Sequence, residues 1–348
     1  MKLHDDIFSV KIGVVGAGSW GTALANLLAV KGFAIDHWVF EPEVCEQIRE
    51  RRENAVFLPG VTLSENLSPS NDLARVVSGK DLVLVVVPSH VMRETSTKMA
   101  EYLSPDAVVV SASKGIENKT HLTMTGILKQ TLPGLSDRRI AALSGPSFAA
   151  EVVRQVPTVV TVASADPDVA RMVQHIFATP NFRVYTSDDV IGVELGGAVK
   201  NVIAIAAGVI DGLNLGLNTR AALITRGLAE IQRLGVKLGA DPRTFAGLAG
   251  VGDLMLTCTG DLSRNHTVGK KIGQGQTLSE ILSEMKMVAE GVKTAKSVYN
   301  LSRKIGVEMP ISQAIYHVLY DSESPLKAVQ QLMTRDLKQE LDNRPSDF

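Results

Sequence analysis

Between Glu194 and Asp211 the chain carries one formal charge, Lys200, set in the apolar stretch LGGAVKNVIAIAAGVI. Burying an ammonium group there strips away its hydration. Such a lysine either reaches a surface along its apolar stem or sits in a site that uses it. At helical spacing Lys200 shares a face with Gly196, Gly197, Ala204, Ala207 and Gly208, a stripe nearly free of side-chain bulk. Another element or a ligand can approach such a face closely. Burial also lowers an amine pKa towards working pH, which suits proton transfer.

A second chemical signal lies near the N-terminus. GAGSWG puts Gly16, Gly18 and Gly21 in the G-x-G-x-x-G spacing directly after the apolar run KIGVV. The first glycine permits a tight turn, the second lets backbone approach a pyrophosphate, and the third lets helix pack on strand. The helix start that follows offers free N–H groups and a positive dipole end. Glu41, in HWVFEPE, follows Gly21 at the distance where a carboxylate can accept from the adenosine ribose hydroxyls and repel a 2′-phosphate. The nearest basic residues are His37 and Arg49, and Phe40 can offer its ring to the adenine. This favours NAD over NADP; the plainer alternative is a solvated loop acid.

Further candidates fall at predicted strand ends and glycine-rich joints. SASKG carries Lys114 and SGPSFA carries Gly145 and Ser147, at strand ends where ligands of doubly wound sheets collect. Lys114 alone also fits a surface turn. GVGDL presents Asp253, and DLSRNHTVG groups Ser263, Arg264 and Asn265 near a helix start after Asp261. Arginine beside polar donors at a helix N-terminus suits a phosphate monoester, although a capping cluster with a solvated arginine explains the same string. Glu290, in VAEG, reads as a loop acid or N-cap.

The elements that must position these residues differ between the two halves. Residues 11–16, 34–40, 81–87, 107–113 and 140–145 read as strands, several apolar on both faces, and 156–164 and 182–187 extend them. The intervening helical patterns, one ending at Gly32 as a C-cap, make this a Rossmann-type doubly wound parallel sheet over residues 1–187. From 188 to 348 helical stretches replace the strands, at 188–211, 217–239, 261–274, 277–285, 290–304, 310–320 and 325–332. GLAGVGD (247–253) and GQGQ (273–276) read as joints, and the polar tail DLKQELDNRPSDF is expected to fray. The fold class is therefore α/β followed by an all-helical domain.

At 348 residues the chain exceeds one ordinary core. A net charge of −1 gives no footprint for nucleic acid or an anionic membrane. Cys45 and Cys258 have neither disulfide nor metal-ligand spacing, so no metal is expected. MKLHDDIFSVK lacks a signal-peptide core, and the apolar runs LVLVVV and VIAIAAGVI are too short to span a bilayer. The expectation is a soluble cytoplasmic protein.

Taken in order, GAGSWGTALA, SASKGIE, LSGPSFAAEV, VELGGAVKNVIAIAAGVIDGL, GLAGVGDLMLTC and SRNHTVG resemble the NAD(P)-dependent glycerol-3-phosphate dehydrogenase family, from about residue 11 to about 335. The resemblance implies interconversion of dihydroxyacetone phosphate and sn-glycerol 3-phosphate by a cytoplasmic, often dimeric enzyme of glycerophospholipid synthesis. It gives Lys200 the role of proton acceptor. It places Lys114, Gly145, Ser147, Asp253, Ser263, Arg264 and Asn265 around a small phosphorylated substrate. Ser19, Trp20, Phe40, Lys114, Ala149, Arg264, Val288 and Glu290 fall at its cofactor positions. Many bacterial members carry Arg or His where this chain has Phe40, and WVFE resembles the NAD-preferring eukaryotic enzymes. The rivals are a hydroxyacid or ketopantoate reductase with similar architecture, and a non-catalytic NAD-binding regulator. Ser263, Arg264 and Asn265 favour a phosphate over a simple carboxylate, and Lys114, Lys200 and Asp253 exceed what a sensor requires.

Overall fold

The computed structural model describes residues 7–285 and 287–340. In the first half strand and helix alternate: β1 (Ile12–Val15), α1 (Ser19–Lys31), β2 (Ile35–Trp38), α2 (Pro42–Arg51), β3 (Leu67–Ser70), α3 (Leu73–Val77), β4 (Leu82–Val85), α4 (Met92–Met99), β5 (Val108–Ser111), α5 (Met124–Thr131), β6 (Ile140–Ser144), α6 (Ala149–Val152), β7 (Thr158–Ser164), α7 (Pro167–Phe177) and β8 (Phe182–Ser187). Strands of Val, Ile and Leu with no polar face need cover on both sides, and β1, β4, β5 and β6 are buried at every position. One apolar core fills each face of the sheet. Gly32 closes α1 in the left-handed conformation at φ 117°, as a C-cap glycine should.

The eight strands run in the order β3-β2-β1-β4-β5-β6-β7-β8, and the order reverses beside β1, where β4 pairs with its free edge. That reversal opens the ligand crevice of doubly wound sheets. Two features depart from the sequence reading. The sheet is not wholly parallel, because β7 runs antiparallel to β6, with Leu143 opposite Val162. A parallel return usually needs a full crossover helix, and this connection contains only the single turn of α6. β3, with the sequence LSPS, gave no β-branched signal, and its Pro69 is tolerated because β3 is an edge strand.

After Ser187 the described residues form helices only: α8 (Val190–Gly212), α9 (Gly216–Lys237), α10 (Asp253–Thr259), α11 (Arg264–Gly273), α12 (Leu278–Glu284), α13 (Glu290–Ile305), α14 (Pro310–Tyr320) and α15 (Pro325–Met333). Asp189 caps α8 by accepting from the Gly192 amide at 2.8 Å. The apolar runs flanking Lys200 join into this one helix. It is long and apolar enough to cross a membrane, yet 89% of its most apolar window is buried inside the protein. GLAGVGD is not a loose joint. Residues Leu248–Gly252 wind as a π-helical turn that leads directly into α10. The tail beyond residue 340 lies outside the described residues.

The small-residue stripe on α8 receives other backbones at both ends. A Cβ on Gly196 would lie 2.3 Å from the Ala249 carbonyl oxygen of the π-helical turn. A Cβ on Gly208 would lie 2.0 Å from the His266 carbonyl oxygen, and reciprocally one on Gly269 would lie 1.9 Å from that of Ile205. Glycine therefore sets how closely α11 approaches α8. Gly208→Val should force α11 outward and lower stability by about 1–3 kcal/mol through overpacking. Denaturant unfolding measures the loss, and unchanged stability would show that α11 can shift at little expense.

Candidate active site

The phosphate-loop glycines divide their work by geometry. Gly16 has φ 112°, which side chains other than glycine rarely adopt. No heavy atom lies within 4 Å of where a Gly18 Cβ would stand, so the backbone is open to a ligand there. A Cβ on Gly21 would lie 2.0 Å from the Gly16 carbonyl oxygen, so α1 packs directly on the turn. Ser19 and Trp20 open α1, and its N-cap, Gly18, borders that open space. These residues fit a dinucleotide pyrophosphate held on backbone amides.

Around the second strand, Glu41 occupies the N-cap position of α2, and Phe40 is exposed at 71% and meets Trp38 edge-on at 5.9 Å. His37 is not a base available to a 2′-phosphate. It is fully buried, bonds the Gly16 carbonyl at 3.0 Å, and burial lowers its pKa to about 4. Arg49 is paired with Glu46 on α2.

The lysines meet across the cleft. Lys200, on α8, donates from Nζ to Asp253 Oδ1 and, at 2.7 Å, to Thr257 Oγ1. Lys114 follows β5 and donates to the other carboxylate oxygen, Asp253 Oδ2, at 2.7 Å, and to the Gly145 carbonyl at 3.2 Å. Asp253 begins α10 and is wholly buried, and Lys200 is 6% exposed. Burial above all, with the Lys114 charge adding to it and the Asp253 charge opposing both, brings the Lys200 pKa down to about 7. The snorkelling alternative for Lys200 is thus excluded, because its ammonium ends in a buried ion pair. Lys114 is a cleft residue, not a surface turn. A Cβ on Gly197 would lie 2.5 Å from Ser144 Oγ and 3.6 Å from the Lys114 stem, so the bare face of α8 leaves room for these side chains.

Ser147 donates to the Gly145 carbonyl at 3.1 Å, and Ala149 starts α6 just beyond. Ser263 is the N-cap of α11, with its side chain accepting from the His266 amide at 3.2 Å. Arg264 is the first residue of that helix and is exposed. Asn265 turns inward: its amide nitrogen donates to Asn201 Oδ1 and its oxygen accepts from the Gly291 amide, each at 2.9 Å. Glu290 is neither a loop acid nor the N-cap, a position held by Ala289; it is the first residue of α13. Its carboxylate accepts from the Ser89 amide at 2.9 Å and from the Ser89 hydroxyl, and burial raises its pKa. Nearby Ser19 donates to Met287 Sδ at 3.3 Å, so the segment bearing Val288 lies against the phosphate loop.

Thr257, Asn201 and Ser89 join this site without having been singled out in the sequence. Thr257 lies one helical turn after Asp253, a spacing hidden because the segment reads as a glycine joint. Asn201 adjoins Lys200, and Ser89 follows an apolar strand end, the same signal that marks Lys114. No metal-ligand cluster of His, Cys, Asp and Glu occurs among the described residues.

A dinucleotide-type loop, a switch-point crevice and two lysines on one buried aspartate beside a helical domain fit a nicotinamide-dependent oxidoreductase acting on a CH–OH group. Comparison with known proteins narrows this class. Residues 11–170 match the NAD-dependent glycerol-3-phosphate dehydrogenase N-terminus and residues 189–330 the C-terminus. A glycerol-3-phosphate dehydrogenase [NAD(P)+] of Syntrophobacter fumaroxidans is 61% identical over 95% of this chain and 97% of its own length. One of Geobacter sp. strain M21 is 60% identical over 95% and 98%. The crystal structure of glycerol-3-phosphate dehydrogenase from Coxiella burnetii superposes with a TM-score of 0.91 at 38% identity, covering 94% of this chain and all of that one. The chain belongs to the NAD-dependent glycerol-3-phosphate dehydrogenase family.

Asp253→Asn would leave two ammonium groups with no carboxylate. Removing one partner of a buried ion pair costs about 3–5 kcal/mol. A lysine whose folded pKa is depressed binds fewer protons folded than unfolded, so stability rises with pH between the two values. Loss of the carboxylate lowers the Lys200 pKa below its wild-type value of about 7, so the penalty should be largest well below pH 7 and shrink as pH rises to 7, levelling off above it. Thermal melts across that range check this, and a pH-independent penalty would contradict it.

Proposed function

We propose that the chain reduces dihydroxyacetone phosphate to sn-glycerol 3-phosphate, reversibly, with Lys200 as the proton donor and acceptor. The observation that carries the proposal is the pair of lysines on opposite oxygens of one buried aspartate. A bound nicotinamide cofactor supplies the hydride. Gly16, Gly18, Ser19, Trp20, Gly21 and Ala149 would hold its phosphates and neighbouring groups, with Phe40 and Glu41 towards the adenosine and Val288 and Glu290 beside the phosphate loop.

Two of the three Lys200 N–H donors are committed, to Asp253 and Thr257. The third is free to polarise a ketone oxygen, stabilise the developing alkoxide and donate its proton. In the other direction, the neutral amine keeps its two donors on Asp253 and Thr257 and turns its lone pair to the alcohol. Lys114 likewise spends two donors, on Asp253 and Gly145, and directs the third to the substrate. Ser263, Arg264 and Asn265 hold the phosphate at the α11 N-terminus through the guanidinium, the free amides and the dipole. Gly145 and Ser147, beside Lys114, complete the substrate site. Binding energy from the remote phosphate then positions the carbonyl.

NAD is the favoured cofactor, supported by the Glu41 carboxylate and by the absence of a free base beside it in the described residues, where His37 is neutral and Arg49 is paired. The resemblance to the family further supports a cytoplasmic homodimer serving glycerophospholipid synthesis. Lys200→Ala should reduce turnover by about 10²–10⁴-fold while NADH binding persists, the range for loss of a general acid–base group. Near-normal turnover would remove Lys200 from the chemistry. Arg264→Ala should raise KM for dihydroxyacetone phosphate by about tenfold or more, as for loss of a charge-assisted bond. An effect confined to cofactor affinity would reassign Arg264. Following absorbance at the nicotinamide band with NADH and then NADPH tests cofactor choice, and preference for NADPH would overturn the Glu41 argument.

A further inference from the structure

Three fully buried polar side chains converge on the back of the phosphate loop, and the chemistry above uses none of them. His37 Nε2, from β2, lies 3.0 Å from the Gly16 carbonyl oxygen. Thr22 Oγ1, from α1, donates to the next carbonyl, Ala17 O, at 3.1 Å. Asn54, from the segment after α2, donates from Nδ2 to the same Ala17 oxygen at 2.9 Å and to Thr22 Oγ1 at 2.8 Å. The Asn54 oxygen is itself fixed by the Phe57 amide at 3.1 Å.

We propose that Thr22, His37 and Asn54 are positioning residues for the dinucleotide: by holding the Gly16 and Ala17 carbonyls inward, they aim the following amides of Ala17 and Gly18 at its pyrophosphate. The C=O and N–H of one trans peptide point in opposite directions, so an inward carbonyl turns the next amide outward. Among the described residues no acceptor bonds the Ala17 or Gly18 amide, and the space beside Gly18 is open. Successive free amides of this kind form an anion-binding concavity. A carbonyl can only accept, so His37 must carry its hydrogen on Nε2. Its buried Nδ1 has no partner, which agrees with a neutral ring locked in that one tautomer. Pinning from α1, β2 and the segment after α2 fixes the loop before ligand arrives, so less ordering remains to be done on binding.

The inference rests on the assignment of this loop to the cofactor, and its test therefore reads cofactor binding directly, without substrate. The dissociation constant of whichever of NADH and NADPH binds wild type more tightly is measured by titration calorimetry, beside melting temperature and kcat at saturating cofactor. Asn54→Asp, which keeps shape and the Phe57 contact but loses both donors, should raise that constant about tenfold or more, with kcat within threefold. His37→Leu should weaken binding about three- to tenfold, and His37→Gln, whose amide can reproduce the Nε2 donor, should restore it to within twofold. Equal losses in the leucine and glutamine variants would show that His37 acts by packing alone and would overturn its role. A folded Asn54→Asp with cofactor affinity within twofold of wild type would overturn the proposal. Should that variant not fold, isosteric Thr22→Val, which removes one donor to Ala17, takes its place: about threefold weaker binding supports the proposal, and unchanged binding contradicts it. If wild type binds neither nucleotide, the cofactor assignment itself fails, an outcome distinct from each of these.

Discussion

Asp253 has one ammonium group on each carboxylate oxygen, and the rest of the molecule is arranged around that arrangement. The carboxylate is wholly buried, so its charge has no water to fall back on, and both lysines are drawn to it. Two positive groups against one negative group leave the cluster with an excess positive charge when both lysines are protonated. Little solvent screens it, which suits a pocket that admits a phosphorylated substrate and an anionic cofactor. The three residues come from three places: the end of β5, the middle of α8 and the first residue of α10. The cluster therefore exists only when the helical domain is seated against the C-terminal edge of the sheet. Glu194 helps seat it, since its buried carboxylate on α8 accepts from the Thr125 amide at the start of α5 at 2.8 Å.

Glycine makes that seating feasible. α8 touches the π-helical turn through Gly196, the lysine cleft through Gly197, and α11 through Gly208. A side chain at any of these would push away the element that carries Asp253, Lys114 or the Ser263–Asn265 cluster. The stripe is thus shared between backbone packing and the site, and Lys200 rises from it at the junction of the two.

Much of this was legible in the sequence, for identifiable reasons. Apolar runs without a polar face announced the sheet, and three glycines after the first strand gave the pattern of a phosphate loop, a reading that the left-handed conformation of Gly16 and the open space at Gly18 fit. A lone charge in an apolar segment pointed to Lys200. Signals that depend on tertiary context were not legible. LSPS forms a strand because an edge needs bonds on one side only. β7 reverses because its connection is too short for a crossover helix, which no local pattern announces. Thr257 was invisible because glycines that read as a hinge wind into a π-helical turn supported by Phe245 and α8. His37, by sequence a nearby base, turned out to be a buried neutral ring that braces the loop from behind.

Burial brings the Lys200 pKa down to about 7 and Asp253 holds it from falling further, which is the property the proposed proton exchange with substrate requires. The most direct measurement is kcat against pH in both directions, in wild type and in Asp253→Asn. Alcohol oxidation needs the neutral amine and should rise with pH through an inflection near 7. Ketone reduction needs the ammonium and should fall through the same inflection, and in the variant both should move to lower pH. Profiles flat across that region, or an inflection unmoved by loss of the aspartate charge, would contradict the account.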